Sequence, residues 1–192
     1  DNYSEAYLAE NSDIIPLRHL NDLIDNKIVI PDIPQPEELP SRTFPLINGH
    51  AHAKRGLLIA AAGGHNLLFS GPPGVGKSLL AQTLPLLLPP LSKQESLEVS
   101  TIYSIAGLLP QNSLISQRPF RSPHHTASMV SLIGGGNKKS QLGEVTLAHH
   151  GVMFLDEIPE HSNYNINSLR EPMESGQITI SRAHYRITYP CR

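Results

Sequence analysis

Apolar residues along this chain fall into short runs punctuated by glycine and proline, and most runs have a readable period. Leu17, Leu20, Leu23 and Ile24 recur at helical spacing behind Pro16, a residue suited to a first helical turn. Ile28-Val29-Ile30 reads as a short strand. This opening piece, residues 1–30, is too small for a core of its own. It reads as the end of an upstream domain or as a segment packed on the main one. Pro31, Pro34, Pro36, Pro40 and Pro45 then predict a stiff, extended linker over 31–45, and a compact module from Leu46 to Arg192.

Within that module the Ala/Leu-rich run His50 to Ala62 predicts a helix stopped by Gly63-Gly64. Asn66-Leu67-Leu68-Phe69-Ser70 reads as a buried strand, and Leu79 to Leu84 as a helix ended by Pro85, Pro89 and Pro90. Ser92-Lys93-Gln94-Glu95 has the spacing of a capping box. The helix it opens runs to Ala106, with Leu97, Ile102, Ile105 and Ala106 inward, and Gly107 and Pro110 close it. Residues 110–142 look loop-like, and a long stretch of that kind is usually functional or mobile. Glu144 to His149 reads as a short helix feeding the apolar run Gly151 to Leu155, four of whose residues in succession suit a central parallel strand. Ile166, Leu169 and Met173 mark a further helix, kinked at Pro172 and ended by Gly176. Gln177-Ile178-Thr179-Ile180-Ser181 and His184 to Tyr189 alternate polar and apolar residues around a turn at Arg182-Ala183, the pattern of a β-hairpin.

Two of these elements carry chemistry. The turn between strand 66–70 and helix 79–84 is Gly71-Pro72-Pro73-Gly74-Val75-Gly76-Lys77-Ser78, a match to G-x-x-x-x-G-K-[ST] in the strand–loop–helix setting that the phosphate-binding P-loop requires. Its glycines let successive backbone N–H groups turn toward phosphate oxygens, and the helix beginning there adds its positive end. Gly71 to Leu79 is thus the candidate nucleotide cradle, with Lys77 neutralising the β- and γ-phosphates and Ser78 ligating Mg²⁺. The second element is Asp156-Glu157, two carboxylates at the C-terminal end of strand 151–155, where open α/β sheets place their ligands. Asp156 fits the Walker B aspartate that holds Mg²⁺, and Glu157 is placed to polarise the attacking water. The pair of motifs predicts ATP and Mg²⁺ as cofactors and hydrolysis as the reaction.

Composition narrows the remainder. With 15 Lys and Arg against 17 Asp and Glu, the net charge of −2 gives no global field for nucleic acid or membrane. Cys191, the one cysteine in 192 residues, excludes an intrachain disulfide and suits a reducing, cytoplasmic setting. No apolar stretch approaches the ~18 residues of a membrane-spanning helix. The pairs His124-His125 and His149-His150 lack the i, i+4 spacing that sets two metal ligands on one helix face.

With both motifs in place, the chain resembles the AAA+ ATPases of the magnesium-chelatase-like group, and within it the competence-protein branch. The blocks that carry the resemblance are Ala60 to Asn66, Arg118-Pro119-Phe120-Arg121-Ser122-Pro123-His124-His125-Thr126-Ala127-Ser128, Gly143 to His149 and Gln177 to Ala183. Together with the two motifs they cover residues 46–192. The resemblance implies an α/β fold, a three-layer αβα P-loop NTPase with a mainly parallel five-stranded sheet. It implies an insert at about 110–142, a hairpin at about 177–189, and a homo-oligomeric ring, commonly a hexamer, with ATP between subunits. It implies that residues 1–30 end an N-terminal domain similar to that of Lon-type proteases. It places the sensor residues, the arginine finger and the helical lid beyond Arg192, so the chain by itself is expected to bind nucleotide weakly and hydrolyse it poorly. Gly49-His50 departs from the group's usual Gly-Gln beside the adenine.

Three functions fit. The first is a ring motor acting on DNA as a helicase in branch migration during uptake of foreign DNA, with Arg182, His184 and Arg186 of the hairpin facing phosphates; ordinary exposed strand residues are the plainer reading of those three. The second is a chelatase motor driving Mg²⁺ insertion into a porphyrin. The third is a nucleotide-gated interaction module, against which Glu157 argues.

Overall fold

The structure is a computed structural model, and it describes Ile15 and residues 47–110, 114–135, 141–181 and 186–192. The expected N-terminal helix and strand and the proline linker therefore lie outside the described residues, except for the single exposed Ile15.

Helix α1 spans Ala51–Gly63 and ends where Gly64 turns left-handed (φ 63°), its N–H reaching back to the Ala60 carbonyl. Helix α2 spans Lys77–Leu87 and runs through Pro85 instead of ending there. A proline removes one amide and crowds one carbonyl a turn earlier, which bends a helix near its end without terminating it, and Pro85 is buried in the packing. Helix α3 spans Lys93–Ile105 and begins with the expected reciprocal cap: Ser92 Oγ accepts from the Glu95 N–H while the Glu95 carboxylate accepts from the Ser92 N–H. Its inward face is Val99, Ser100 and Ile102; Ile105, expected inside, is 61% exposed.

The stretch read as loop contains structure. Strand β1 (Phe120–Arg121), helix α4 (Met129–Ile133), β2 (Gly134–Gly135) and β3 (Gln141–Leu142) all fall within it. Of these, β1 exists through a distant partner, which a local pattern cannot signal, and α4 is capped locally by Ser128. β2 pairs antiparallel with β3, and β1 pairs in parallel with β4 (Val152–Met153), the expected Walker B strand. The short helix α5 (Glu144–Leu147) precedes β4 as read. The parallel ladder is extended by the Val152 N–H to Pro119 O and the Phe154 N–H to Arg121 O, both 2.8 Å.

Segment 66–70 differs from expectation. It is extended, but among the described residues no strand pairs with it, and Leu68 is 74% exposed. An apolar run becomes a buried strand only where neighbours supply the ladder and the two covering faces.

The helix read through Ile166 to Met173 is two, α6 (Asn163–Ser168) and α7 (Arg170–Ser175), hinged at Leu169. Pro172 lies in the first turn of α7, where its missing N–H costs nothing, so the break precedes it. Leu169 turns into the core, while Met173 is left 63% exposed. Strand β5 (Gln177–Ser181) pairs antiparallel with β6 (Arg186–Pro190), Ser181 opposite Arg186. Residues 182–185, with the expected start of the second strand at His184, lie outside the described ones. Val145, Leu169 and Ile178 form a core between α5, the α6–α7 hinge and the hairpin, covered by Ile133, Met153, Leu155, Tyr189 and Cys191.

The contact of β1 with β4 depends on Gly151. A Cβ there would lie 2.1 Å from the Pro119 carbonyl oxygen, a main-chain atom that cannot rotate away. Gly151→Ala is expected to pry the two strands apart and cost about 1–3 kcal/mol or more. Urea unfolding followed by circular dichroism measures the loss, and a midpoint equal to that of the wild type would contradict this packing.

Candidate functional site

The P-loop adopts the backbone its glycines permit. Gly74 (φ 79°) and Gly76 (φ 85°) are both left-handed, with open space where a Cβ would stand, and Gly76 is the residue from which α2 departs. The Lys77 ammonium folds back across the loop and donates to the Gly71 and Pro72 carbonyls, 2.9 Å each.

The decisive contact joins two distant parts of the sequence. Ser78 Oγ donates to Asp156 Oδ2 at 2.9 Å. An octahedral Mg²⁺ with bonds of about 2.0–2.1 Å sets adjacent ligand oxygens about 2.9 Å apart. The hydroxyl and the carboxylate are hard oxygen donors at that spacing, so the pair fits the ion. Asp156 is braced from behind. Its Oδ1 accepts from the Glu157 N–H at 3.0 Å, and its carbonyl faces Nε2 of the buried His161 at 3.1 Å.

Glu157 follows Asp156 at the strand end, in a left-handed backbone conformation (φ 52°, ψ 48°) that is rare outside glycine. Its carboxylate is largely exposed and pairs with His125 Nδ1 at 3.4 Å. The parallel pairing of β1 with β4 carries the loop after β1 to the end of β4 and makes this contact possible. His125 stacks on His124, ring centroids 4.0 Å apart, and the His124 Nδ1 is 2.8 Å from the Thr126 hydroxyl. Sequence reading left His125 and His161 without a role at this site, since nothing local marks either one.

The two arginines of the block beginning at Arg118 are spent on the scaffold. Arg118 bonds the carbonyls of Pro89 and His150 and reaches Glu95. Arg121 makes a two-pronged pair with Glu144, 2.6 and 2.8 Å, which holds its guanidinium in the charged form against partial burial. Of the proposed nucleic-acid contacts, Arg186 is exposed at the start of β6, and Arg182 and His184 lie outside the described residues. An open cleft of about 1710 Å³ runs from the P-loop to Asp156 and Glu157, with residues 65–69 and 152–155 both along its walls.

A glycine-framed turn opening a helix, facing an acidic pair at the end of a parallel strand, has the architecture of a P-loop NTPase of the AAA+ type. The family model described as magnesium chelatase, subunit ChlI, matches residues 43–192, and the chain belongs to that family. The uncharacterized protein YifB of Escherichia coli strain K12 is 43% identical over 199 residues, covering all of this chain and 39% of that protein. Competence protein ComM of Haemophilus influenzae is 51% identical over 150 residues, 76% of this chain and 28% of its own length. The chain thus spans well under half of either relative. A structure of the complex between subunits BchI and BchD of magnesium chelatase superposes with a TM-score of 0.57 at 22% identity, over 73% of this chain and 49% of that one. That likeness is one of fold.

Proposed function

We propose that the chain is the nucleotide-binding part of an ATP-hydrolysing AAA+ motor that works as a ring, commonly a hexamer, on DNA. The observation that carries the reading is the 2.9 Å contact between Ser78 and Asp156, which joins the P-loop to the Walker B carboxylate as an Mg·ATP site requires. In this reading the loop from Gly71 to Leu79 takes the phosphates and Lys77 swings from the Gly71 and Pro72 carbonyls to the β- and γ-phosphates. Ser78 and Asp156 hold Mg²⁺. Glu157 orients the attacking water once it is released from His125. Phosphoryl transfer asks for positioning and charge stabilisation more than covalent chemistry, and these residues supply both.

DNA as the substrate rests on the likeness to the competence protein and on exposed Arg186 at the hairpin; Arg182 and His184, the other two residues expected to face phosphates, lie outside the described residues. A ring of this kind in the cytoplasm is the setting proposed; no helix among the described residues is long and apolar enough to cross a membrane. The family description favours a second reading, a motor for Mg²⁺ insertion into a porphyrin.

One experiment separates them. ATP turnover by the full-length protein is measured with branched DNA, with single-stranded DNA and with a chelatase partner subunit. Stimulation by DNA that fades with rising salt is expected, because phosphate contacts release counterions. Stimulation by the chelatase partner alone transfers the assignment to the second reading. Nucleotide binding without turnover under any condition leaves an interaction module.

A further inference from the structure

The end of β4 remote from Asp156 carries a second cluster, formed by residues far apart in sequence. Glu98 of α3 meets His149 and His150, the two residues before Gly151. Glu98 Oε2 is 3.3 Å from His149 Nε2 and 2.9 Å from His150 Nε2. The three ligand atoms all lie within 4.8 Å of one another. We propose that Glu98, His149 and His150 form a binding site for a divalent transition ion of the zinc class, separate from the nucleotide site.

Four observations support it. The donor spacing is the first. A tetrahedral ion with bonds of about 2.0–2.1 Å needs ligand atoms about 3.3 Å apart, and the separations to Glu98 lie close to that. The donor set is the second: two imidazoles and one carboxylate suit zinc, whereas Mg²⁺ takes oxygen ligands.

The surrounding shell is the third. His150 Nδ1 faces Glu95 Oε1 at 3.4 Å, a carboxylate placed to receive the ring proton on Nδ1 once an ion takes Nε2. Its main chain is clamped as well, the N–H donating to Arg192 O and the carbonyl accepting from Arg118 Nη1, both at 2.7 Å. The Glu98 carboxylate also accepts from Gln94 Nε2 at 3.1 Å, which helps hold it in place. His149 is 2% exposed.

The fourth is room. A polar cavity of about 380 Å³ opens beside the three donors, between α3 and the base of the β5–β6 hairpin, and can supply water as the fourth ligand.

Binding redistributes ring protons. The His150 proton that faces Glu98 from Nε2 moves to Nδ1, toward Glu95 Oε1. His149 now accepts the Arg192 N–H at Nδ1 (3.1 Å), which puts its ring proton on Nε2. That proton must move to Nδ1, and the Arg192 amide must yield its bond. The ion thereby ties α3 to the entry of β4 in place of two hydrogen bonds.

The test is titration of the metal-free full-length protein with Zn²⁺ against a chromophoric chelator, with Co²⁺ as a spectroscopic probe. One equivalent should bind, Mg²⁺ in excess should not displace it, and the Co²⁺ spectrum should be tetrahedral without a thiolate charge-transfer band, which sets Cys191 apart. Glu98→Gln and His150→Gln should each weaken binding by about 100-fold. The wild-type spectrum stands even if a variant misfolds. Absence of a stoichiometric site, a thiolate band, or affinity unchanged in both variants overturns the assignment.

Discussion

Lys77→Ala is expected to weaken ATP binding by about 100- to 1,000-fold. The ammonium lies across the loop, bonded to the Gly71 and Pro72 carbonyls at 2.9 Å each. In the nucleotide complex proposed here those two bonds give way to charge-assisted contacts with phosphate oxygens, each contributing about 1.5–3 kcal/mol. Losing them, less the cost of the loop bonds also removed, leaves about 3–4 kcal/mol, or two to three powers of ten in Kd. Equilibrium titration of the full-length protein with a fluorescent ATP analogue measures it. The loop's shape does not depend on the lysine, because left-handed Gly74 and Gly76 set it, so an unfolded variant is not the expected outcome. Affinity within a few-fold of the wild type would remove the P-loop from its assigned role.

Glu157→Gln is expected to separate binding from turnover. A positioned base contributes about 10²–10⁴ in rate, and glutamine keeps the shape while losing basicity. The kcat should fall by about that factor while KM for ATP moves little, the mark of an interaction made in the transition state. The left-handed backbone at Glu157 is unchanged by the substitution, and the contact with His125 at 3.4 Å is open to the amide oxygen as well. Steady-state turnover with and without DNA provides the measurement. If kcat is unaltered, another group polarises the water.

Local signals were legible throughout. The Ser92–Glu95 cap and the Gly64 stop follow from chemistry within a few residues, and both form as read. The β5–β6 pairing follows from alternation over the described residues of both strands. The misreadings share one cause. Residues 66–70 have a strand's composition but no ladder partner among the described residues, while β1 has little strand pattern yet pairs because β4 lies beside it. Ile105 has helical spacing, but it is left 61% exposed among the described residues.

Sequence by itself determined the chemistry of each part: a glycine-framed loop with a lysine and a serine, and an acidic pair behind an apolar run. Those properties belong to residue types and short spacings, and they hold wherever the chain goes. Only the tertiary structure decided that Ser78 would meet Asp156, that His125 would hold Glu157, and that Glu98 would close on two adjacent histidines. Contacts across such separations depend on the whole path of the backbone, on which strand pairs with which and where a glycine allows two main chains to touch, and no local pattern encodes that path.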